Sequence, residues 1–204
     1  NVDINLKFTD LLQFSPDEEE LDKIFSELEF KAADKNKEKE QPKKDSNYEI
    51  VLDEKALKNW AIKINKSKAF AIDTETDSVN TVSANLIGIS LSVSENEGCY
   101  IPIAHSYDGC PKQLELDYVV KNLGPVIEKN QEKSVGQNLK FDIPILARHG
   151  IKITKFLADT MLMSYVLNST ATRHGMDRLA DYYLNYTTTK SVSYTHLTLP
   201  TSVI

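Results

Sequence analysis

A run of twelve residues, 34–45, divides this chain of 204 residues into two unequal parts. Nine of the twelve are charged and none is apolar. Such a run cannot bury enough surface to offset the entropy that a chain loses on ordering, so we predict a solvated linker. A basic arm that binds nucleic acid is the alternative, but the acids interspersed among the lysines argue against it. Any compact fold must lie before this run or after it.

The part before the linker carries one recognisable element. The sequence Ser15-Pro16-Asp17-Glu18 is typical of a helix start, with a capping residue, a proline at the first helical position and acids in the first turn. Leu21, Ile24, Phe25 and Leu28 then follow at helical spacing. This amphipathic helix has little around it to pack on, which favours the end of a larger domain or a docking helix.

The part after the linker has the alternating pattern of an α/β domain, and we predict a mixed sheet flanked by helices. Strands are predicted at residues 48–52, 69–72, 86–93, 100–103 and 133–136. Helices are predicted after the capping residue Asp53 and at residues 114–127, 138–148, 159–167 and 176–184. Trp60 falls at a helical core position, so we expect it to pack in the core.

The first candidate site is a pair of acids, Asp73 and Glu75, at the end of a buried strand. The two-residue period of a strand places both side chains on one face, with Cα atoms roughly 6–7 Å apart. Carboxylates so close repel each other, and a divalent cation offsets that repulsion. Ligation by oxygen alone suits Mg²⁺ or Mn²⁺. The pair by itself leaves open whether the acids bind metal or are solvated residues of a loop.

A second candidate lies at the predicted helix start near residue 138. Asn138 is a candidate N-cap, and Asp142 follows one turn later on the same side of the helix. The helix dipole alone also favours an acid there. If Asp142 approaches Asp73 and Glu75, the three carboxylates form most of a two-metal site for phosphodiester hydrolysis.

Residues 48–190 resemble the 3′→5′ proofreading exonuclease domains of bacterial DNA polymerase I, which are DnaQ-like, ribonuclease-H-like exonucleases. Six segments carry the resemblance in order: AFAIDTETDS (69–78), SANLIGIS (83–90), YIPIAH (100–105), VGQNLKFD (135–142), DTMLMSYVLNS (159–169) and RHGMDRLA (173–180). Residues 1–31 resemble the end of the 5′ nuclease domain of the same polymerases. The resemblance therefore implies a nuclease-domain end (1–31), a linker (32–47) and a ribonuclease-H-like exonuclease domain (48–190).

The resemblance also implies roles for single residues. Asp73 would bridge two Mg²⁺ or Mn²⁺ ions, Glu75 would bind the first ion, and Asp142 the second. The residues implied to contact single-stranded DNA are Thr76 and Val79 at the 3′-terminal nucleotide, with Gln137, Asn138 and Arg173 along the backbone. Val79 stands where the family usually has a bulkier leucine.

One motif of the family is missing. The resemblance requires Tyr-x-x-x-Asp, in which the tyrosine orients water and the aspartate completes the first metal site. None of the nine tyrosines has an aspartate four residues later, and no histidine has one five residues later. The motif would fall beyond about residue 190. We therefore expect a C-terminally incomplete domain that is inactive, or nearly so, by itself.

The tail from residue 191 to 204 differs in character from the domain. Residues 192–201, VSYTHLTLPT, resemble the translation of a sequencing adapter. We therefore interpret the tail as non-native and leave it out of the fold prediction. A divergent natural C-terminus is the alternative.

Charge and composition set the expected partners. The formal net charge of −6 excludes a binder that holds nucleic acid by basic charge alone, but not an enzyme that meets DNA through metal ions. No apolar run is long enough to cross a bilayer, and two cysteines cannot form a disulfide framework. We expect a cytoplasmic monomer whose partners are a single-stranded DNA 3′ end and the polymerase domain of its parent chain. A related ribonuclease and a non-catalytic scaffold that binds DNA are the alternatives.

Overall fold

The computed structural model describes residues 17–28, 47–170 and 173–188. The predicted linker, the tail from residue 191, and Ser15 and Pro16 all lie outside these ranges. The chain divides into two compact units, Asn1–Pro42 and Lys43–Ile204. No comparison tests the domain boundaries that we drew, so they stay predictions.

The described part of the first unit is a single helix, α1 (Glu18–Glu27). Asp17 caps it, because its Oδ1 accepts the backbone N–H groups of Glu19 and Glu20 at 3.1 and 3.2 Å. The apolar stripe predicted for this segment is therefore carried by a helix, which begins at Glu18.

The described part of the second unit contains one six-stranded sheet in the order β1-β4-β3-β2-β5-β6. β3 runs antiparallel to β2 and β4, and the β1–β4, β2–β5 and β5–β6 pairs are parallel. The sheet is mixed, as predicted. Its strands are β1 (Asn47–Ile50), β2 (Phe70–Thr76), β3 (Leu86–Ser94), β4 (Glu97–Pro102), β5 (Ser134–Gly136) and β6 (Ala158–Asp159).

Five helices flank this sheet in the described residues. They are α2 (Glu54–Lys66), α3 (Leu116–Lys129), α4 (Leu139–Arg148), α5 (Thr160–Leu167) and α6 (Met176–Leu184). The cap that we predicted for α2 is present, because Asp53 accepts the N–H of Ala56 at 2.9 Å. Gly150 takes a φ of +97° just after α4, as residues that end helices commonly do. None of the helices in the described ranges has the length and hydropathy that crossing a bilayer requires.

Strand β2 is the centre of the site because it extends beyond its parallel neighbour. Apolar residues of β2 enter the core, where Phe70 and Ile72 are buried together with Trp60. β5 pairs with β2 only at Phe70 and Ala71, so the rest of β2 has no strand on that side in the described residues. The polar end of β2 is thus free to meet a helix.

Asp159 fixes the helix that meets this end of β2. Its buried carboxylate accepts the N–H groups of Met161 and Leu162 in its own helix α5, at 2.9 and 3.3 Å. The same carboxylate also accepts the N–H groups of Asn138 and Leu139 at the start of α4, at 3.1 and 2.8 Å. One side chain therefore caps two helices and sets where α4 begins.

Replacing Asp159 by alanine should be unusually costly for a helix cap, because it leaves backbone donors of two helices without partners. We expect Asp159→Ala to lower the free energy of unfolding by about 2–4 kcal/mol. The single-helix cap change Asp53→Ala should lower it by about 0.5–2 kcal/mol. Urea unfolding of both variants measures the difference, and equal losses would show that Asp159 does not join the two helices.

Candidate active site

The two acids of the first motif lie on β2 itself, within the strand and not in a loop after it. β2 alternates between the buried residues Ile72 and Thr74 and the more exposed Asp73 and Glu75. Asp73 pairs with Ser90 of β3, and Glu75 pairs with Gly88. Both carboxylates therefore lie on the same face of the sheet, as the strand period predicts.

Asp142 of α4 meets β2 between these two acids. Its carboxylate Oδ1 accepts the backbone N–H of Thr74 at 2.9 Å and the Thr74 hydroxyl at 2.6 Å. This N–H belongs to the part of β2 that β5 does not pair, so Asp142 takes the place of a strand there. Asp142 is only 2% exposed, and both hydrogen bonds offset part of the cost of burying its charge.

The three carboxylates affect one another electrostatically. Burial first, and then the charges of Asp142 and Glu75, raise the pKa of Asp73 to about 7. Burial and the charge of Asp142 also raise the pKa of Glu75. Burial raises the pKa of Asp142, although the Thr74 hydrogen bonds act in the opposite direction. Neighbouring acids with raised pKa values are typical of functional sites.

The carboxylates do not by themselves form a ready coordination cluster. In the part of the chain that the structure describes, no group of three or more His, Cys, Asp or Glu side chains is arranged to hold one metal ion. The three side chains nevertheless suit divalent metal ions that would each be bound by two of them, because all the donors are carboxylate oxygens of neighbouring acids.

A tyrosine that the sequence argument did not single out borders the site. The ring of Tyr100 lies over Gly88, and a Cβ on Gly88 would come within 2.1 Å of the Tyr100 hydroxyl. The hydroxyl is 2.5 Å from His105 Nε2. Burial, followed by the charge of Glu75, raises the pKa of Tyr100. In the sequence, only the glycine at position 88 indicates a close approach of this kind, and a glycine by itself does not specify which side chain packs on it.

The two residues that we expected at the terminal nucleotide lie at the end of β2 and just after it. Thr76 is the last residue of the strand, and its hydroxyl donates to the carbonyl of Ser78 at 2.8 Å. Val79 lies three residues further along and is 92% exposed.

Asn138 and Gln137, at the start of α4, differ in the hydrogen bonds that their side chains make. Asn138 is the N-cap in position, but it has a left-handed φ of 64° and its side chain makes no capping bond. Asp159 does the capping instead. The Gln137 amide donates to the His174 carbonyl at 2.8 Å and accepts the Thr160 hydroxyl. A contact between Gln137 and DNA would use the second N–H of the amide or replace one of these bonds.

Arg173, the last of the predicted contacts, is exposed and lies next to this Gln137–His174 bond. His174 itself is buried, with Nδ1 3.0 Å from the Ser164 hydroxyl and Nε2 3.1 Å from the Ser169 carbonyl. His174 is thus packed in the interior. Its carbonyl, next to Arg173 in the chain, is bonded to Gln137 at the start of α4.

Residues 48–197 match a family model described as 3′-5′ exonuclease, of the family A DNA polymerases. The chain belongs to this exonuclease family. The match extends beyond residue 190, where we placed the end of the domain. Together with the mixed sheet and the carboxylate arrangement, it identifies a DNA polymerase I type of exonuclease domain.

Curated relatives of this exonuclease domain are DNA polymerases. The DNA polymerase I of Pseudomonas aeruginosa is 39% identical over 202 residues, covering 92% of this chain and 22% of the relative. That of Borreliella burgdorferi is 37% identical over 131 residues, covering 64% of this chain and 14% of the relative. The chain therefore spans about a fifth or less of the length of these relatives.

Solved structures show the same fold at low sequence identity. The catalytic core of RRP6 from Trypanosoma brucei matches with a TM-score of 0.57 and 12% identity, covering 76% of this chain and 40% of that one. The Nibbler EXO domain of Aedes aegypti matches with a TM-score of 0.55 and 11% identity, covering 74% and 75%. These likenesses confirm the ribonuclease-H-like fold.

Asp73 gives the exonuclease domain a characteristic dependence of stability on pH. Its folded-state pKa of about 7 lies above the ordinary value of 3.8. Below about pH 4 Asp73 holds its proton in both the folded and the unfolded chain, so it does not lower the free energy of unfolding. Between pH 4 and 7 the unfolded chain ionises first and stability falls as pH rises, and above pH 7 the whole penalty remains.

Without divalent metal, Asp73→Asn should therefore be more stable than the parent by about 2–4 kcal/mol at pH 8, with the difference growing from pH 4 to pH 7. Thermal unfolding in EDTA across this range measures it. The matched change at the exposed Asp117 should give curves parallel to the parent. A parallel curve for Asp73→Asn as well would show that burial of this carboxyl carries no penalty.

The Thr74 hydroxyl should stabilise the ionised form of Asp142. We expect Thr74→Val, which is nearly isosteric, to lower the free energy of unfolding by about 1–3 kcal/mol at pH 8. The loss should become smaller as the pH falls and Asp142 takes up a proton. Thr74→Ser keeps the donor and should retain most of the stability. Equal losses in the valine and serine variants, measured by urea unfolding, would show that the hydroxyl contributes no more than the methyl group does.

Proposed function

We propose that this chain carries the carboxylate part of a two-metal 3′→5′ exonuclease site, which acts on the 3′ end of single-stranded DNA. The observation that supports this most is the approach of Asp142 to Asp73 and Glu75 on one strand, where each carboxyl has a raised pKa. Membership of the exonuclease family adds independent support.

The carboxylates divide into pairs that could share two ions. Asp73 would bind both ions, Glu75 the first and Asp142 the second. Because Asp142 Oδ1 already accepts two hydrogen bonds from Thr74, its other oxygen is the one available to an ion or to a water bound to it. Divalent ions, when bound, activate water and offset the charge of the phosphodiester transition state. Mg²⁺ and Mn²⁺ both suit these oxygen donors.

The remaining residues would position the DNA. Thr76, the last residue of β2, and Val79, three residues later, would contact the terminal nucleotide. Gln137, Asn138 and Arg173 would contact the backbone. The side-chain amide of the half-buried Asn138 makes no capping bond, and amides are among the groups that donate to phosphate oxygens.

We further propose that the domain serves proofreading in a longer DNA polymerase, as a cytoplasmic monomer, with the polymerase domain as its partner. The support is that the curated relatives matched here are themselves DNA polymerases I. By itself the 204-residue chain should have little activity, because no Tyr-x-x-x-Asp motif occurs in its sequence.

Titration of the whole chain with Mn²⁺, followed by calorimetry, tests the metal site. We expect binding that Asp73→Asn weakens at least about tenfold, since it removes the carboxylate shared by both ions. The matched change Asp117→Asn should leave binding unchanged. Absence of binding that depends on Asp73 would contradict the metal site and favour a non-catalytic scaffold.

Nucleotide release from 5′-labelled single-stranded DNA in Mg²⁺ tests the activity of the chain. We expect release close to background, with a 5′-labelled RNA of the same sequence as a comparison. Robust release from DNA that Asp73→Ala abolishes would confirm the nuclease site but refute the predicted inactivity. Preferential degradation of RNA would favour the ribonuclease alternative.

A further inference from the structure

Helix α4 carries charged side chains at both of its ends. Asp142 in its first turn binds β2, and Arg148 is its last residue. The Arg148 guanidinium donates to the carbonyl of Thr81 at 3.2 Å and to the carbonyls of Val82 and Ala84. These three carbonyls belong to the segment that joins β2 to β3, residues 77–85, which we call the β2–β3 loop.

The β2–β3 loop is closed at its base by a side-chain pair. Asp77 accepts the backbone N–H and the side-chain amide of Asn85, each at 2.7 Å. Within the loop, Asn80 accepts the N–H of Val82 at its side chain and the N–H of Ala84 at its carbonyl, at 3.0 and 2.8 Å. Ala84 is fully buried. The loop therefore has a defined shape, and Arg148 ties that shape to α4.

Two large apolar side chains nevertheless point away from the core on this tied loop. Val79 is 92% exposed and Val82 is 82% exposed. A single exposed valine needs no explanation. Both lie on one fixed loop that begins immediately after the strand that carries Asp73 and Glu75. The apolar ligand that the proposed function brings to this loop is the face of a nucleobase.

We propose that Arg148 is a positioning residue, which holds the β2–β3 loop so that Val79 and Val82 together contact the base of the 3′-terminal nucleotide. This inference rests on the proposed function. It adds Val82 to the residues that contact the base. It also makes α4 the helix that positions both the carboxylate of Asp142 and, through Arg148, the β2–β3 loop. Arginine suits the task because its planar guanidinium presents five donors in a rigid fork, whereas the ammonium of a lysine presents three donors from a single nitrogen.

Arg148→Lys separates this role from a direct charge contact with phosphate, because it keeps the charge and loses the planar fork. The affinity of the whole chain is measured by fluorescence anisotropy, in Ca²⁺, for two 5′-labelled single-stranded oligonucleotides. One has an ordinary 3′-terminal nucleotide and the other has an abasic 3′-terminal nucleotide. Arg178→Lys in α6 is the matched control.

We expect Arg148→Lys to weaken binding of the ordinary oligonucleotide about fivefold and to leave the abasic one unchanged. In the Val79→Ala/Val82→Ala background, the same change should have less than about a twofold effect, because the contact it positions is already gone. Hydrogen exchange at the amides of Val82 and Ala84 should become faster in Arg148→Lys.

Three results would overturn the inference: equal binding by parent and Arg148→Lys, an equal loss for both oligonucleotides, or unchanged hydrogen exchange in the β2–β3 loop. A parent chain that does not prefer the ordinary 3′ end over the abasic one would overturn it as well. Failure of the proposed function is seen separately, as the loss of Mn²⁺ binding that depends on Asp73.

Discussion

The contact between Asp142 and Thr74 is the interaction on which the rest of the site depends. One carboxylate oxygen accepts both the backbone N–H and the hydroxyl of a residue that lies between Asp73 and Glu75. The contact satisfies a backbone donor of β2 on the side where no strand of the described residues pairs with it, and it brings a third negative charge to the first two. Burial is the main cause that raises the pKa values of Asp73 and Glu75, and the charge that α4 brings to the sheet adds to it. A fold that only required stability would be served by an uncharged acceptor in this place.

Helix α4 organises the surroundings of that contact. Asp159 caps its first turn together with that of α5, which fixes the height at which Asp142 meets β2. Pro144 lies within the helix, so its ring removes one backbone donor from the middle of this short element. Arg148 then extends from the last residue of the helix to the β2–β3 loop. The ten residues of α4 thus place Asp142 against β2 and Arg148 against the β2–β3 loop.

Local patterns in the sequence predicted much of this fold. Asp53 was expected as a cap and is one, because a capping bond involves residues two or three positions apart. The two-residue period placed Asp73 and Glu75 on one face correctly. The strand itself continues through Thr76, since the pairing with β3 extends that far, and a four-residue apolar run could not show this.

Contacts between distant parts of the chain could not be predicted in this way. Thr74 and Asp142 are separated by 68 positions, and nothing in either residue type specifies the other. The capping of α4 by Asp159 across 21 positions was likewise missed, and its side chain replaces the bond that we expected from Asn138. β6 has two residues, too few for a periodic signal, and the parallel pairing of β1 with β4 is set by the sheet as a whole.

The central claim is that the repulsion among Asp73, Glu75 and Asp142 is balanced by divalent metal. Anomalous diffraction from crystals of the whole chain grown with Mn²⁺ tests this most directly. The account predicts a Mn²⁺ peak at bonding distance from Asp73 and from Glu75 or Asp142, which is lost in crystals of Asp73→Asn. A map in which Mn²⁺ binds only elsewhere, or not at all, would contradict it.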